Sequence, residues 1–307
     1  MGGGRWTDTD WATYASRTVD RAATVDDIYT SRSLNKNLDP KGVKLRESCD
    51  STDNPNSTAV IIALDVTGSM DRVLDSMARE GLKTVATEIY NRKPVSDPHI
   101  MFMGVGDVNY DDAPLQITQF EADIRIAEQL SKIYLERGGG GNDSESYILP
   151  WYFASMNTKI DCFEKRNKKG ILFTVGDECP TPYLTASQIE EVLGEKPQFD
   201  KITAEELLIM ASRQYEVFHL IVEEGSYCSG HKDQVVREWT KLLGQHAIKL
   251  SDYTKMGEVI ISTLQVLAGE SKESILASWD GTTSLVVKSA IEGLSNTLAS
   301  EDGLVKF

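Results

Sequence analysis

Asp65, Thr67 and Ser69 are oxygen-bearing side chains at alternate positions, with Gly68 between the two hydroxyl residues. They follow a short apolar, β-rich run over residues 59–64. Such a run, closed by turn residues, reads as a buried parallel strand. The three polar side chains then fall in the loop past its carboxyl end, where open α/β sheets bind their ligands. One carboxylate and two hydroxyls make a hard-oxygen set, suited to Mg²⁺ or Mn²⁺ rather than to a soft metal. Read singly, Asp65 or Ser69 would serve equally well as a cap for the helix that follows.

The elements that must position this loop alternate along the chain. Strands are predicted at 59–64, 99–105, 170–175, 217–222 and 247–250, with an antiparallel edge strand at 115–120. Helices are predicted at 70–91, 123–137, 145–157, 187–193, 204–213, 232–243 and 254–268. Repeated strand–helix alternation implies a three-layer αβα sandwich around a mainly parallel six-stranded sheet with one antiparallel edge strand. The turn cluster at 50–57 marks a boundary. The chain therefore divides into an N-terminal extension (1–56), a sheet domain (57–269) and a C-terminal extension (270–307). In the first, Trp11, Tyr14, Ala15 and Thr18 have helical spacing, and 43–46 alternates like an extra edge strand. In the last, 284–287 alternates and 288–298 reads as helix.

Composition narrows the function. Of 307 residues, 40% are hydrophobic and 26% charged, an ordinary globular balance. A net charge of −15 argues against a nucleic-acid backbone or an anionic membrane as partner. Cys49, Cys162, Cys179 and Cys228 form no C-x-x-C pair, which speaks against a zinc ribbon and for reduced thiols. The opening MGGGRWTDTDW has no apolar core, and no run of about 18 apolar residues follows. A cytoplasmic location without a membrane span is therefore expected. The glycine run at 138–141 lacks the G-K-[ST] ending of a phosphate-binding loop, and no G-x-S-x-G elbow occurs. The four histidines show no ligand spacing.

D-x-T-x-S after a buried strand resembles the first loop of the metal-ion-dependent adhesion site of von Willebrand factor A domains, and the strand order resembles that fold over residues 58–268. The resemblance implies that the Thr67 and Ser69 hydroxyls bind the ion directly, while Asp65 acts directly or through water. It implies a second-loop oxygen at Asn142, with Asp143 and Ser144 as alternatives. It implies a third-loop carboxylate at Asp177, with Glu178 next, although the order Gly176-Asp177 inverts the family's Asp-Gly. The expected ion is Mg²⁺, Mn²⁺ or Ca²⁺. The implied function is metal-dependent protein binding rather than catalysis, with a partner's Asp or Glu side chain on the ion. A MoxR-type AAA+ ATPase, or a phage or plasmid system, would supply that partner. The rival is a haloacid-dehalogenase-type phosphohydrolase with Asp65 as nucleophile, since DVTGS resembles D-K-T-G-T. Against it, Gly176-Asp177 is followed by Glu178-Cys179-Pro180-Thr181 rather than by further Mg²⁺-binding acids.

Overall fold

Thr58–Asp65 (β1) is apolar on both faces, and a strand of that kind must be covered on both. A computed structural model, describing residues 4–137 and 143–295, places it inside a six-stranded sheet. The other strands are Pro98–Val105 (β2), Leu115–Ile117 (β3), Gly170–Gly176 (β4), Tyr215–Val222 (β5) and Ala247–Leu250 (β6). Their spatial order is β6-β5-β4-β1-β2-β3, parallel throughout except for β3, which runs antiparallel to β2 at the edge.

The period-two alternation of side chains sends β1 into two cores. Val60, Ile62 and Leu64 pack with the helices Leu82–Arg92 and Met256–Leu267. Ala59, Ile61 and Ala63 pack with Ile148–Met156, Ala204–Ala211 and Ser226–Leu243. The result is the predicted three-layer α/β sandwich. In register, Leu64 lies beside Val175 and Asp65 beside Val105. The ends of β1, β2 and β4 therefore share one edge of the sheet.

Residues before β1 join the first core. Trp6, Trp11, Ile28 and Tyr29 are buried there, and the Tyr29 hydroxyl donates to the Leu74 carbonyl at 3.2 Å. The helix Asp8–Arg17 begins at Thr7, whose hydroxyl accepts from Asp10 N. Among the described residues no helix is long and apolar enough to cross a membrane.

Several elements differ from the sequence reading. The extra strand near 43–46 is Arg46–Ser48, and it pairs with Thr158–Ile160 in a separate small sheet rather than with the main one. β3 stops at Ile117. The helix predicted at 123–137 is only Arg125–Leu130. Beyond it, Gln116 draws the chain out along the sheet edge, donating to the Tyr134 carbonyl at 2.7 Å and accepting from Tyr134 N at 2.8 Å. The helix predicted from 145 begins at Ile148, because Ser144–Glu145 pairs in parallel with Cys179–Pro180. The helix predicted at 232 begins at Ser226 and kinks at His231. The alternation at 284–287 lies inside the helix Gly281–Ile291, which buries Val287, Ala290 and Ile291 at helical spacing. The predicted 70–91 helix is continuous but uneven: Asp71–Ser76, then a wide π-turn at Met77–Gly81, then Leu82–Arg92.

Candidate metal centre

β1 ends in Asp65, which is fully buried and surrounded by donors. Its Oδ1 accepts from Thr67 N at 2.9 Å and from the Thr67 hydroxyl at 2.6 Å. Its Oδ2 accepts from the Tyr147 hydroxyl at 2.7 Å. The first of these is the short-range turn a carboxylate makes two residues ahead, and it fixes the loop as soon as the strand ends. Gly68–Met70 then forms one tight turn that brings Ser69 back over the strand end.

Ser69 joins this loop to β4. Its hydroxyl donates to Asp177 Oδ1 at 2.8 Å. The other oxygen, Asp177 Oδ2, accepts from Tyr227 N at 2.8 Å, in the first turn of the helix Ser226–Leu243. A carboxylate at that end is favoured by the helix dipole and by the unpaired first-turn amides. Two glycines make the approach possible. A Cβ at Gly225 would strike the Asp177 side chain, and one at Gly176 would strike the Tyr147 phenol.

The two hydroxyls sit between the Asp65 and Asp177 carboxylates. Each hydroxyl has one proton. That of Thr67 goes to Asp65 and that of Ser69 to Asp177. The two hydroxyl oxygens nevertheless lie 3.3 Å apart. Either hydroxyl could instead donate to the other, and together with the two carboxylates they make a cluster of hard oxygen donors.

The remaining expected ligands are placed differently. Asn142 lies outside the described residues. The Asp143 carboxylate accepts from Gln234 at 3.3 Å, and Ser144 is held in the short ladder with Cys179. Glu178 follows Asp177, but its carbonyl takes the Trp239 indole proton at 2.9 Å and its own Oε2 is buried without a partner. Tyr147 joins the site through its bond to Asp65 and was not among the expected residues. Tyr147 packs edge-on against His219 and Trp239, at 5.1 and 5.6 Å between ring centroids, and those two stack at 3.4 Å. His219 is held by Thr174 at 2.8 Å, and burial drives its pKa well below the ordinary value, so it serves as neutral packing.

Acidic side chains gather here without a basic partner. Among the described residues Asp65, Glu145, Asp177 and Glu178 form no ion pair with lysine or arginine. Burial pushes the Asp65 carboxyl upward; the bonds from Thr67 and Tyr147 oppose this, and the nearby Asp177 adds to it. Burial, then the charges of Asp65 and Asp177, push Glu178 up to about 8. Burial, then Asp65 and Glu178, push Glu145 upward as well. Among the described residues no three His, Cys, Asp or Glu side chains converge on one point. The residues present fit a hard divalent ion held by Asp65, Asp177 and the two hydroxyls, with water completing its shell.

No protein-family model matches the sequence, and no curated protein matches it. Solved structures are similar in part. The pilus adhesin SpaC from Lactobacillus rhamnosus GG, in its open conformation, aligns at TM-score 0.46 and 13% identity over 77% of this chain and 31% of that one. A second SpaC structure aligns at TM-score 0.45 and 13% identity over 77% and 32%. A von Willebrand factor type A protein from Catenulispora acidiphila aligns at TM-score 0.38 and 13% identity over 70% and 43%. The chain spans less than half the length of each of these proteins.

Proposed function

We propose that this chain is a von Willebrand A-type interaction module. Asp65, Thr67, Ser69 and Asp177 hold Mg²⁺, Mn²⁺ or Ca²⁺ at the carboxyl edge of the sheet, and a protein partner completes the ion's shell with an Asp or Glu side chain. The observation that carries this reading is the convergence of the Thr67 and Ser69 hydroxyls with the Asp65 and Asp177 carboxylates at the end of β1. The chemistry follows from the donor set. Two carboxylates balance a divalent ion, and neutral oxygens leave it able to take a further anion from outside. Without the ion, a chain of net charge −15 would repel an acidic side chain. A cytoplasmic MoxR-type AAA+ ATPase is the partner class that the family resemblance suggests.

Binding is favoured over phosphoryl transfer by the stretch after Asp177, where Glu178-Cys179-Pro180-Thr181 stands in place of further Mg²⁺-binding acids. The test is capture of partners from native lysate by the wild-type chain, with and without EDTA, beside Ser69→Ala and Asp65→Asn. A partner that EDTA and both variants release supports the reading; partners retained equally in all arms overturn it. Phosphatase turnover with Mg²⁺ that vanishes in Asp65→Asn would transfer the assignment to the phosphohydrolase class.

A further inference from the structure

We propose that Glu145 is part of the cation site, accepting hydrogen bonds from water bound to the ion. This rests on the reading of Asp65, Thr67, Ser69 and Asp177 as a cation centre. Glu145 is 1% exposed, and its Oε2 has no hydrogen-bond partner. Among the described residues no donor reaches its carboxylate and no lysine or arginine pairs with it. A buried acid left in that state is costly unless something outside the chain's own side chains satisfies it.

Its position is fixed by the backbone. Glu145 pairs with Pro180 in a two-residue parallel ladder, three residues past Asp177. Its carbonyl accepts from the Thr181 hydroxyl at 2.7 Å and from Thr181 N at 3.4 Å. Tyr147, two residues further on, reaches Asp65 Oδ2. The chain thus delivers Glu145 to the same sheet edge as Asp65 and Asp177. Its charged surroundings there are Asp65, Glu178, Asp111 and Asp107, all of one sign. Those neighbours favour a cation over an anion at that point.

Glu145 does not close a chelate with Asp65 and Asp177, since no three such groups converge among the described residues. The role proposed for it is therefore as an acceptor for water on the ion, not as a direct ligand. Small hard cations keep several waters, whose protons need acceptors. Glu145 supplies such an acceptor.

The test is Mn²⁺ titration of the full chain, following free Mn²⁺ by its paramagnetic resonance signal. Glu145→Gln preserves shape and removes the charge. It should weaken Mn²⁺ binding by about 10-fold or more, as loss of such outer partners does, while the exposed Asp143→Asn in the same loop changes little. Glu145→Gln binding like wild type overturns the proposal, as does an equal loss in Asp143→Asn, which would mean bulk charge only. Should Glu145→Gln not fold, Glu145→Asp decides, with a several-fold loss supporting the role and unchanged affinity overturning it. Failure of the underlying centre is distinguishable: wild type would then bind no Mn²⁺, or Asp177→Asn would bind it as well as wild type.

Discussion

Tyr147 gives the site a dependence that neither of its carboxylates has alone. Its hydroxyl is the sole partner of Asp65 Oδ2 among the described residues, in a fully buried place. Tyr147→Phe leaves that oxygen unpaired, at a cost of about 1–3 kcal/mol for a buried acceptor. The same oxygen becomes free to meet an ion. Melting temperature in EDTA should therefore fall more than melting temperature in Mn²⁺, so that the metal-induced increment grows. Equal losses in both conditions would mean that the phenol only fills space. Asp65, Thr67 and Ser69 were legible in the sequence because three polar residues alternate just past an apolar run. Tyr147 and Glu145 were not, because their value comes from the ladder with Cys179–Pro180, a pairing between segments about 35 residues apart that no local pattern announces.

The helix Ser226–Leu243 acts on the site through its first turn. Tyr227 N and Ser69 share Asp177 between them, one on each oxygen. Gly225→Ala would drive a methyl group into the Asp177 side chain. The expected result is loss of the Mn²⁺-induced rise in melting temperature together with lower stability in EDTA, read by thermal unfolding in both conditions. A preserved rise would separate the helix turn from the ion. Strands were the more legible elements, since β1, β2, β4, β5 and β6 are apolar runs bounded by turns. Helices failed where side chains captured the backbone. Gln116 holds Tyr134 by both amide atoms and stops a helix that apolar spacing alone would continue. The helix start at Ser226 lay outside the 232–243 reading, because only the placement of Asp177 gives its first amides a partner.

The molecule as a whole should be most sensitive to metal on the alkaline side. The raised carboxyls of Asp65, Glu145 and Glu178 keep more protons in the folded chain than in the unfolded one. Their contribution is fully present below the ordinary carboxyl range near about pH 4 and is lost as pH rises through the folded values, toward about 8 for Glu178. Asp50, held down by its bonds from Arg166, has the opposite sign and matters only under acid. In EDTA, melting temperature should fall between about pH 5.5 and 8.5, and saturating Mg²⁺ should restore more of it at the upper end. A metal increment independent of pH would place the ion away from these acids. The three-layer sandwich was legible at this scale. The helical spacing of Trp11 and Tyr14 pointed to the face that docks on the first core; the burial of Trp6 and Tyr29 was not legible, because neither belongs to that spacing.

The wide turn at Met77–Gly81 has a consequence for descent. A π-turn spends one residue more than an α-helical path between the same two flanks. Val73 and Leu74 before it, and Val85, Ala86 and Ile89 after it, would keep their buried faces if that residue were removed. Glu80 is exposed, and among the described residues its side chain forms no hydrogen bond or ion pair. In a lineage, chain length can change by one at this point without re-registering either half of the helix that leaves the Asp65 loop, so an alignment of relatives should carry its gap at Met77–Gly81 rather than in that loop.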